Sequence, residues 1–248
     1  MEGGGIKTLL LFLCMSIDLH LQNVLRQIAE AEARAGREPG SVSLLAVSKT
    51  FPPEDVAQAY SAGQRIFGEN RLQEAMEKMP KLPSDCRWHL IGPLQRNKVR
   101  KALEQGFALI EAVHSQRLAE TISRIAGELG VVAPILLEVN IDDEQSKHGF
   151  SPDELRQAWP ELVQLPHLDI QGLMCIPAPV DSPEEARPAF AALRHLAEEL
   201  RARGPLPLPT LSMGMSHDFT VAIEEGATHV RVGSAIFGGR PPKSDPVQ

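Results

Sequence analysis

The sequence has little cysteine, few aromatic residues and no excess of positive charge, and each shortage excludes a class of protein. The three cysteines of the 248-residue chain are widely spaced without a CxxC pair. This spacing argues against a disulfide framework or a structural zinc site and indicates a reducing cytoplasm. Aromatic residues make up 4%, so platforms that stack nucleic-acid bases are not expected. The net charge is −7 without a basic block, which disfavours nucleic-acid and acidic-membrane partners.

Long hydrophobic runs are also missing, apart from a short one near the start. Lys7–Cys14 resembles the core of a signal peptide, but it is too short to span a bilayer and no small-residue cleavage site follows it. Met15 comes next, with Ser16 as a cap candidate for a helix. We expect native translation to begin at Met15 and residues 1–14 to be a non-native or disordered extension. A targeting segment is the alternative. Residues 241–248 are expected to form a C-terminal tail.

The rest of the chain has enough apolar residues for a large core, and its elements alternate regularly. Hydrophobic residues make up 43% and charged residues 23%. After an amphipathic helix over Ile17–Ala35, eight apolar strands alternate with helices and no linker divides them. The predicted strands are Ser43–Lys49, Arg65–Gly68, Arg87–Gly92, Ala108–Val113, Pro134–Ile141, Leu168–Ile176, Pro209–Gly214 and His229–Gly233.

Strands that alternate with helices indicate a parallel sheet covered by helices. Eight units in this length predict a single (β/α)8 barrel of the TIM type over residues 15–240, with an extra N-terminal helix. An open doubly wound sheet is the competing fold. No GxGxxG motif follows the first strand, which counts against a dinucleotide-binding sheet of that kind.

Lys49 ends the first predicted strand, just before Phe51-Pro52-Pro53. In such barrels the working face is at the carboxyl ends of the strands, where this lysine would lie. One interpretation is that its ammonium group reaches out to water at the rim. The other is that it is a Schiff-base lysine, made nucleophilic by desolvation in a pocket. The residue alone does not decide between the two.

The segment Arg231–Gly238 predicts an anion site at the end of the last strand. Gly233 and Ser234 are small residues between a strand and a short helix, so their backbone N–H groups can cradle a phosphate. Phosphate sites of many such barrels lie after strands seven and eight. Ser212–Ser216, at the end of the seventh strand, would supply a hydroxyl group nearby. A tight strand-to-helix turn is the structural alternative.

Other polar residues give weaker signals. His89 lies on an apolar strand and is expected to be a hydrogen-bonded core histidine. His114, His148 and His217 lack metal-ligand spacing, so no metal is assigned. Residues 146–149 are interpreted as a solvated turn, with a mobile lid as the alternative. The basic residues from Arg96 to Lys101 are interpreted as a solvated helix face.

Six motifs together resemble one known family. They are AVSKT (Ala46–Thr50), GQRIFGEN (Gly63–Asn70), WHLIGPLQRNK (Trp88–Lys98), GLMCIPAP (Gly172–Pro179), SMGMS (Ser212–Ser216) and RVGSAIFG (Arg231–Gly238). In this order they closely resemble the pyridoxal phosphate homeostasis proteins, from about Met15 to Arg240. That family resembles the N-terminal barrel of alanine racemase but lacks the second domain of that enzyme.

The resemblance implies a cofactor and the residues that hold it. Lys49 matches the lysine that forms an internal aldimine with pyridoxal 5′-phosphate. Ser216, Gly233 and Ser234 match positions around the phosphate. Arg231 matches an arginine on the ring side, and Asn70 matches a contact near the cofactor. A permanently charged arginine facing the pyridine nitrogen would disfavour protonation there, which would restrain carbanion chemistry.

Three functions follow as hypotheses. The first is a non-enzymatic protein of vitamin B6 homeostasis that holds pyridoxal phosphate as a Schiff base on Lys49 and hands it to apo-enzymes that depend on it. The second is an amino-acid racemase, which needs a second base. The single tyrosine, Tyr60, is expected to face outward from the helix after the first strand. The third is a barrel that binds another phosphorylated ligand, with Lys49 as a charge contact. We expect a cytoplasmic monomer.

Overall fold

Eight parallel strands pair in chain order and close on themselves. This computed structural model describes residues 16–142, 144 and 148–239. The strands are β1 (Ser43–Val47), β2 (Ile66–Glu69), β3 (Arg87–Leu90), β4 (Leu109–Val113), β5 (Ala133–Val139), β6 (Leu168–Cys175), β7 (Thr210–Ser212) and β8 (His229–Val232). The barrel closes where Ser43 of β1 pairs with His229 of β8 and Ala46 pairs with Val232. The predicted (β/α)8 barrel is therefore confirmed. The expected extension over residues 1–14 and the tail over 241–248 lie outside the described residues.

Helices cover the outside of the barrel. They are α1 (Ile17–Arg34), α2 (Pro53–Ser61), α3 (Leu72–Lys78), α4 (Val99–Gln105), α5 (Gln116–Leu129), α6 (Pro152–Leu162), α7 (Arg187–Arg203), α8 (Phe219–Glu224) and α9 (Ser234–Phe237), with 3₁₀ turns over Met79–Lys81, Arg96–Lys98 and Pro183–Ala186. A capping box begins α6. There Ser151 accepts a hydrogen bond from the Glu154 N–H, and the Glu154 carboxylate accepts one from the Ser151 N–H.

Some element boundaries differ from the predicted ones. The helical segment Pro183–Arg203 begins as a 3₁₀ turn and becomes α-helical only at Arg187. Pro188 has no N–H to donate, so an α-helix tolerates it only in the first turn. Strand β1 ends at Val47 rather than Lys49, because Thr50 has a φ of 72° and turns the chain away from the sheet.

Apolar residues fill both the shell between helices and strands and the inside of the barrel. Inside, one cluster contains Leu45, Val47 and Ile91, and another contains Leu109, Ala112, Leu136 and Met174. Helix α1 buries Leu21, Val24, Ile28 and Ala31 and packs against α8 and α9. The predicted extra helix is thus part of the barrel wall. Within the described ranges, no helix combines the length and apolar character needed to cross a membrane.

Candidate functional site

A cavity of about 190 Å³ opens at the carboxyl ends of β1, β2, β6 and β8. Its lining includes five of the six residues predicted from the sequence, which are Lys49, Asn70, Arg231, Gly233 and Ser234. The sixth, Ser216, lies beside it, because the Gly233 N–H donates to Ser216 Oγ at 3.3 Å. Gly238 and the apolar side chains of Val47, Phe51, Ile91, Ile176 and Met215 complete the lining. The fold therefore gathers residues from both ends of the chain into one pocket.

Lys49 is partly buried in the loop after β1 and lines this cavity. Its neighbours on both sides are held by a buried network. The Ser48 hydroxyl donates to Glu69 Oε1 at 2.7 Å, and the Thr50 N–H donates to Glu74 Oε1. The backbone that carries Lys49 is therefore held before and after the residue by hydrogen bonds to α3 and the end of β2.

Lys78 joins the two halves of that network, and it is not among the residues predicted from the sequence. Its Nζ donates at 2.8 Å to the Ser48 carbonyl, to Glu69 Oε1 and to Glu74 Oε1. Lys78 is 5% exposed and Glu69 is fully buried. Burial raises the pKa of Glu69, while hydrogen bonds from Lys78 and Ser48 act in the opposite direction. The one available signal was the i,i+4 spacing of Glu74 and Lys78, which usually marks an exposed pair.

Opposite Lys49, the loop from β8 into α9 presents backbone N–H groups. The first N–H groups of α9 have no acceptor within the helix, as at every helix start. A Cβ atom at Gly233 would lie 3.1 Å from the Val47 carbonyl oxygen, so a larger residue would push this loop away from β1. Gly214 precedes Ser216 with a φ of 90°, and a Cβ there would lie 2.6 Å from the Ala222 Cβ. Glycine is therefore required at the approach to Ser216.

Asn70 is fixed at the end of β2 by a close approach of two backbones. A Cβ atom at Gly92 would lie 2.1 Å from the Asn70 carbonyl oxygen, which only glycine permits. The strand ends of β2 and β3 therefore pack directly on each other, and Asn70 lines the cavity from that position.

Arg231 anchors a polar network inside the barrel. The guanidinium group, 5% exposed, donates at 2.7 Å to Ser212 Oγ and at 2.7 Å to the Cys175 carbonyl. Ser212 in turn donates to Glu111 Oε2 at 2.6 Å, and Nδ1 of His89 lies 2.7 Å from Glu111 Oε1. As predicted, His89 is a buried, hydrogen-bonded core histidine. These contacts fix the direction of the guanidinium group at the wall of the cavity.

Burial acts to raise the pKa of two carboxyl groups, Glu111 and Glu138, and the charge of Arg231 opposes it in both. Burial acts to raise the pKa of Glu111, but the hydrogen bond from His89 and the charge of Arg231 outweigh it, so the pKa is lowered. Burial raises the pKa of Glu138, and the charges of His148 and Arg231 only partly oppose it. Oε2 of Glu138 has no hydrogen-bond partner among the described residues. Burial also lowers the pKa of His229 to about 4, so this imidazole is neutral at neutral pH.

The remaining sequence candidates lie elsewhere. Within residues 16–142, 144 and 148–239, no group of His, Cys, Asp or Glu side chains is arranged to hold a metal ion. Tyr60 donates to Asp85 at 2.7 Å and stacks under Arg65, at the amino ends of β2 and β3. It therefore lies at the opposite end of the barrel from Lys49, half-buried against the core. Of the predicted turn over residues 146–149, Ser146 and Lys147 lie outside the described residues.

A closed (β/α)8 barrel with a lysine after β1 and a small-residue loop after β8 defines a protein of the alanine racemase N-terminal domain class. The model of that family, "Alanine racemase, N-terminal domain", matches residues 19–241. An alanine racemase of Clostridium difficile 630 has a TM-score of 0.71 at 16% identity, over 90% of this chain and 58% of the racemase. At that identity the likeness shows the fold alone.

Relatives of higher sequence identity show which family within this class the chain belongs to. The pyridoxal phosphate homeostasis protein of Aquifex aeolicus is 44% identical over 221 residues, 89% of this chain and 96% of the relative. The Escherichia coli protein of the same name is 40% identical over 231 residues, 89% of this chain and 95% of its own. PipY of Synechococcus elongatus PCC7942, solved with PLP bound, has a TM-score of 0.75 at 45% identity, over 85% of this chain and all of PipY. This chain belongs to the family of pyridoxal phosphate homeostasis proteins.

Proposed function

We propose that this protein binds pyridoxal 5′-phosphate covalently through Lys49 and serves the homeostasis of that cofactor rather than catalysis. The observation that carries the proposal is that Lys49, Arg231 and the Gly233–Ser234 loop line the same cavity. The names of the relatives and the PLP-bound structure of PipY support the same ligand.

The residues of the cavity fit each part of this cofactor. Lys49 supplies the primary amine that reacts with the aldehyde. Ser216 and the N–H groups at the start of α9, from Ser234 onward, offer hydrogen bonds to the phosphate, while the Gly233 N–H holds Ser216 Oγ in place. Arg231 offers a permanently charged donor to the ring side. Pyridoxal phosphate supplies a reactive aldehyde and a pyridine ring that withdraws electrons once protonated.

The chemistry of Arg231 supports a role in holding the cofactor. Its two hydrogen bonds to Ser212 and the Cys175 carbonyl keep the charged group at the cavity wall. With the pyridine nitrogen of a bound cofactor next to it, the fixed positive charge of Arg231 would disfavour protonation of that nitrogen. Arg231 would thereby restrain proton removal from an amino acid.

Racemisation is the alternative, and the lining of the cavity argues against it. A racemase needs a second base on the face of the substrate opposite the lysine. Among the described residues that line the cavity there is no Tyr, His, Cys, Asp or Glu. Tyr60 lies at the other end of the barrel.

Three further proposals complete this function. We propose that bound cofactor passes to apo-enzymes that depend on it, that the protein acts as a monomer, and that it works in the cytoplasm. The small number of cysteines supports the last of these. A size-exclusion experiment with light scattering tests the monomer, and activation of an apo-enzyme by loaded protein tests transfer.

The binding proposal is tested with the visible spectrum of the purified protein after addition of pyridoxal phosphate. Wild type is compared with Lys49→Ala and with a control, Lys101→Ala, on the exposed face of α4. We expect wild type and control to show a new absorption band and, after borohydride reduction, a covalent adduct mapped to Lys49. Identical spectra in all three proteins without an adduct at Lys49 would refute the proposal and favour a different phosphorylated ligand.

A further inference from the structure

A second and larger cavity, of about 740 Å³, lies beside the first at the carboxyl ends of β2, β3 and β4. Asn70 lines both cavities. Buried Leu90, Leu94 and Leu118 close its floor, and the exposed Pro93 stands at its wall. Its size is within the range of small-molecule sites in proteins. Residues of the segment from Pro93 to Lys98 form one side of it, and none of them lines the first cavity.

The rim of this cavity is strongly cationic. Arg71, Arg96, Lys98 and Arg117 line it, and the lining contains no Asp or Glu among the described residues. None of the four forms an ion pair with a described carboxylate, unlike Arg34, Arg156, Arg187 and Arg194 elsewhere on the surface. The chain has 32 acidic and 25 basic residues. Four cations without an acidic partner are therefore a local reversal of the overall charge, and this reversal favours an anionic ligand.

Helix α5 adds to the same positive field. Ser115 caps this helix of 14 residues, and its N-terminus faces the cavity through Ser115, Arg117 and Leu118. The first turn of a helix carries a partial positive charge and favours an acidic side chain. Here no acidic residue occupies that turn, and Arg117 does. The two positive charges repel each other unless an anion lies between them and the other cations of the rim.

We propose that this cavity binds a small organic phosphate, with the phosphate held by the arginines of the rim. Planar guanidinium groups match phosphate oxygens in paired hydrogen bonds, and four cations exceed what one carboxylate would balance. A concave site above a closed apolar floor suits a small molecule better than the convex surface of an acidic protein. The proposal does not depend on what binds at Lys49.

Isothermal titration calorimetry with phenyl phosphate tests this site, with benzoate as the carboxylate of similar shape. The diagnostic variant is Arg96→Gln/Arg117→Gln. Its matched control is Arg100→Gln/Arg124→Gln, which removes the same charge from two exposed arginines that contact Glu128 outside the cavity. Thermal melting confirms that both variants are folded.

We expect saturable binding of phenyl phosphate to wild type, weakened about tenfold or more in the diagnostic variant. Binding to the control and to Ser216→Ala, beside the first cavity, should change less than about twofold.

Four results would overturn the proposal. Equal loss in both double variants would mean general charge attraction only. Loss in Ser216→Ala would assign the anion to the first cavity. Absence of saturable binding would exclude a small-anion site and leave an acidic protein surface as the partner to consider. Benzoate binding as tightly as phenyl phosphate would exclude selection for phosphate.

Discussion

The rings of Phe51 and Phe237 stack with their centroids 5.1 Å apart and an interplanar angle of 29°. Phe51 follows Lys49 by two residues, and Phe237 ends the helix that Ser234 begins. The two phenylalanines therefore join the loop that carries Lys49 to the helix α9 that follows β8. Both are nearly buried, so the contact is part of the core as well as of the site.

Loss of this stacked pair should weaken cofactor binding and stability together. We expect Phe51→Ala to lower the free energy of unfolding by about 3–5 kcal/mol, because it removes a buried aromatic ring. The affinity for pyridoxal phosphate should fall about tenfold, because the loop that carries Lys49 and α9 are no longer joined. Urea denaturation and spectroscopic titration measure the two effects. Phe107→Ala is the control, since Phe107 is equally buried but lies before β4 at the other end of the barrel. If it weakens binding as much as Phe51→Ala, the effect is one of stability alone.

Removal of Lys78 should leave a carboxylate buried without its cation. We expect Lys78→Met to destabilise the protein by about 3–5 kcal/mol, since the fully buried Glu69 loses its ion-pair partner. Cofactor binding should also weaken, because the Ser48 carbonyl beside Lys49 loses its hydrogen bond.

The double variant Lys78→Met/Glu69→Gln separates the two effects of Lys78. Urea denaturation should show that it regains part of the lost stability, because no unpaired charge remains buried. Its cofactor affinity should stay low. A double variant as unstable as Lys78→Met would show that the charge of Glu69 is not the cause.

Arginine should be irreplaceable by lysine at position 231. Arg231→Lys keeps the charge, but one ammonium group cannot reproduce the two hydrogen bonds to Ser212 and the Cys175 carbonyl in their planar arrangement. We expect Arg231→Lys to lower the free energy of unfolding by about 1–3 kcal/mol. Arg231→Gln should lower it by about 3–5 kcal/mol, because this variant removes the cation near Glu111. Chemical denaturation measures both. A Lys variant as stable as wild type would contradict the argument.

His229 should make stability depend on pH in the acid range. Its pKa falls from 6.5 to about 4 on folding because of burial. The unfolded chain therefore binds more protons between these values, so stability is fully present above about pH 6.5 and is lost as the pH falls toward 4. The loss from this residue is at most about 3 kcal/mol. Denaturation of wild type and His229→Gln at several pH values isolates it. Parallel stability curves for the two proteins would contradict the assignment.

The barrel and the location of the pocket could be predicted from the sequence, and the supporting network could not. Alternation of strands and helices places Lys49, Asn70 and Gly233 at strand ends, and parallel strands bring their ends together. The role of Lys78 could not be predicted, because its i,i+4 spacing from Glu74 is typical of an exposed ion pair. Lys78 is buried because α3 packs over the loop after β1, a tertiary contact that local pattern does not encode. Arg96 and Lys98 were interpreted as solvated, and they line a cavity because α5 lies opposite them.

The two sides of the pocket are synthesised at different times, because β1 and β8, which pair to close the barrel, lie near opposite ends of the chain. Lys49 leaves the ribosome early, whereas Gly233 and Ser234 are among the last residues of the barrel to be made. A nascent chain therefore carries the amine long before it has the loop opposite. Capture of a cofactor in this pocket would report that synthesis has passed α9 and that the barrel has closed. A chain truncated before β8 would keep Lys49 and lack the opposite wall, so its amine would meet the cofactor as any surface lysine does.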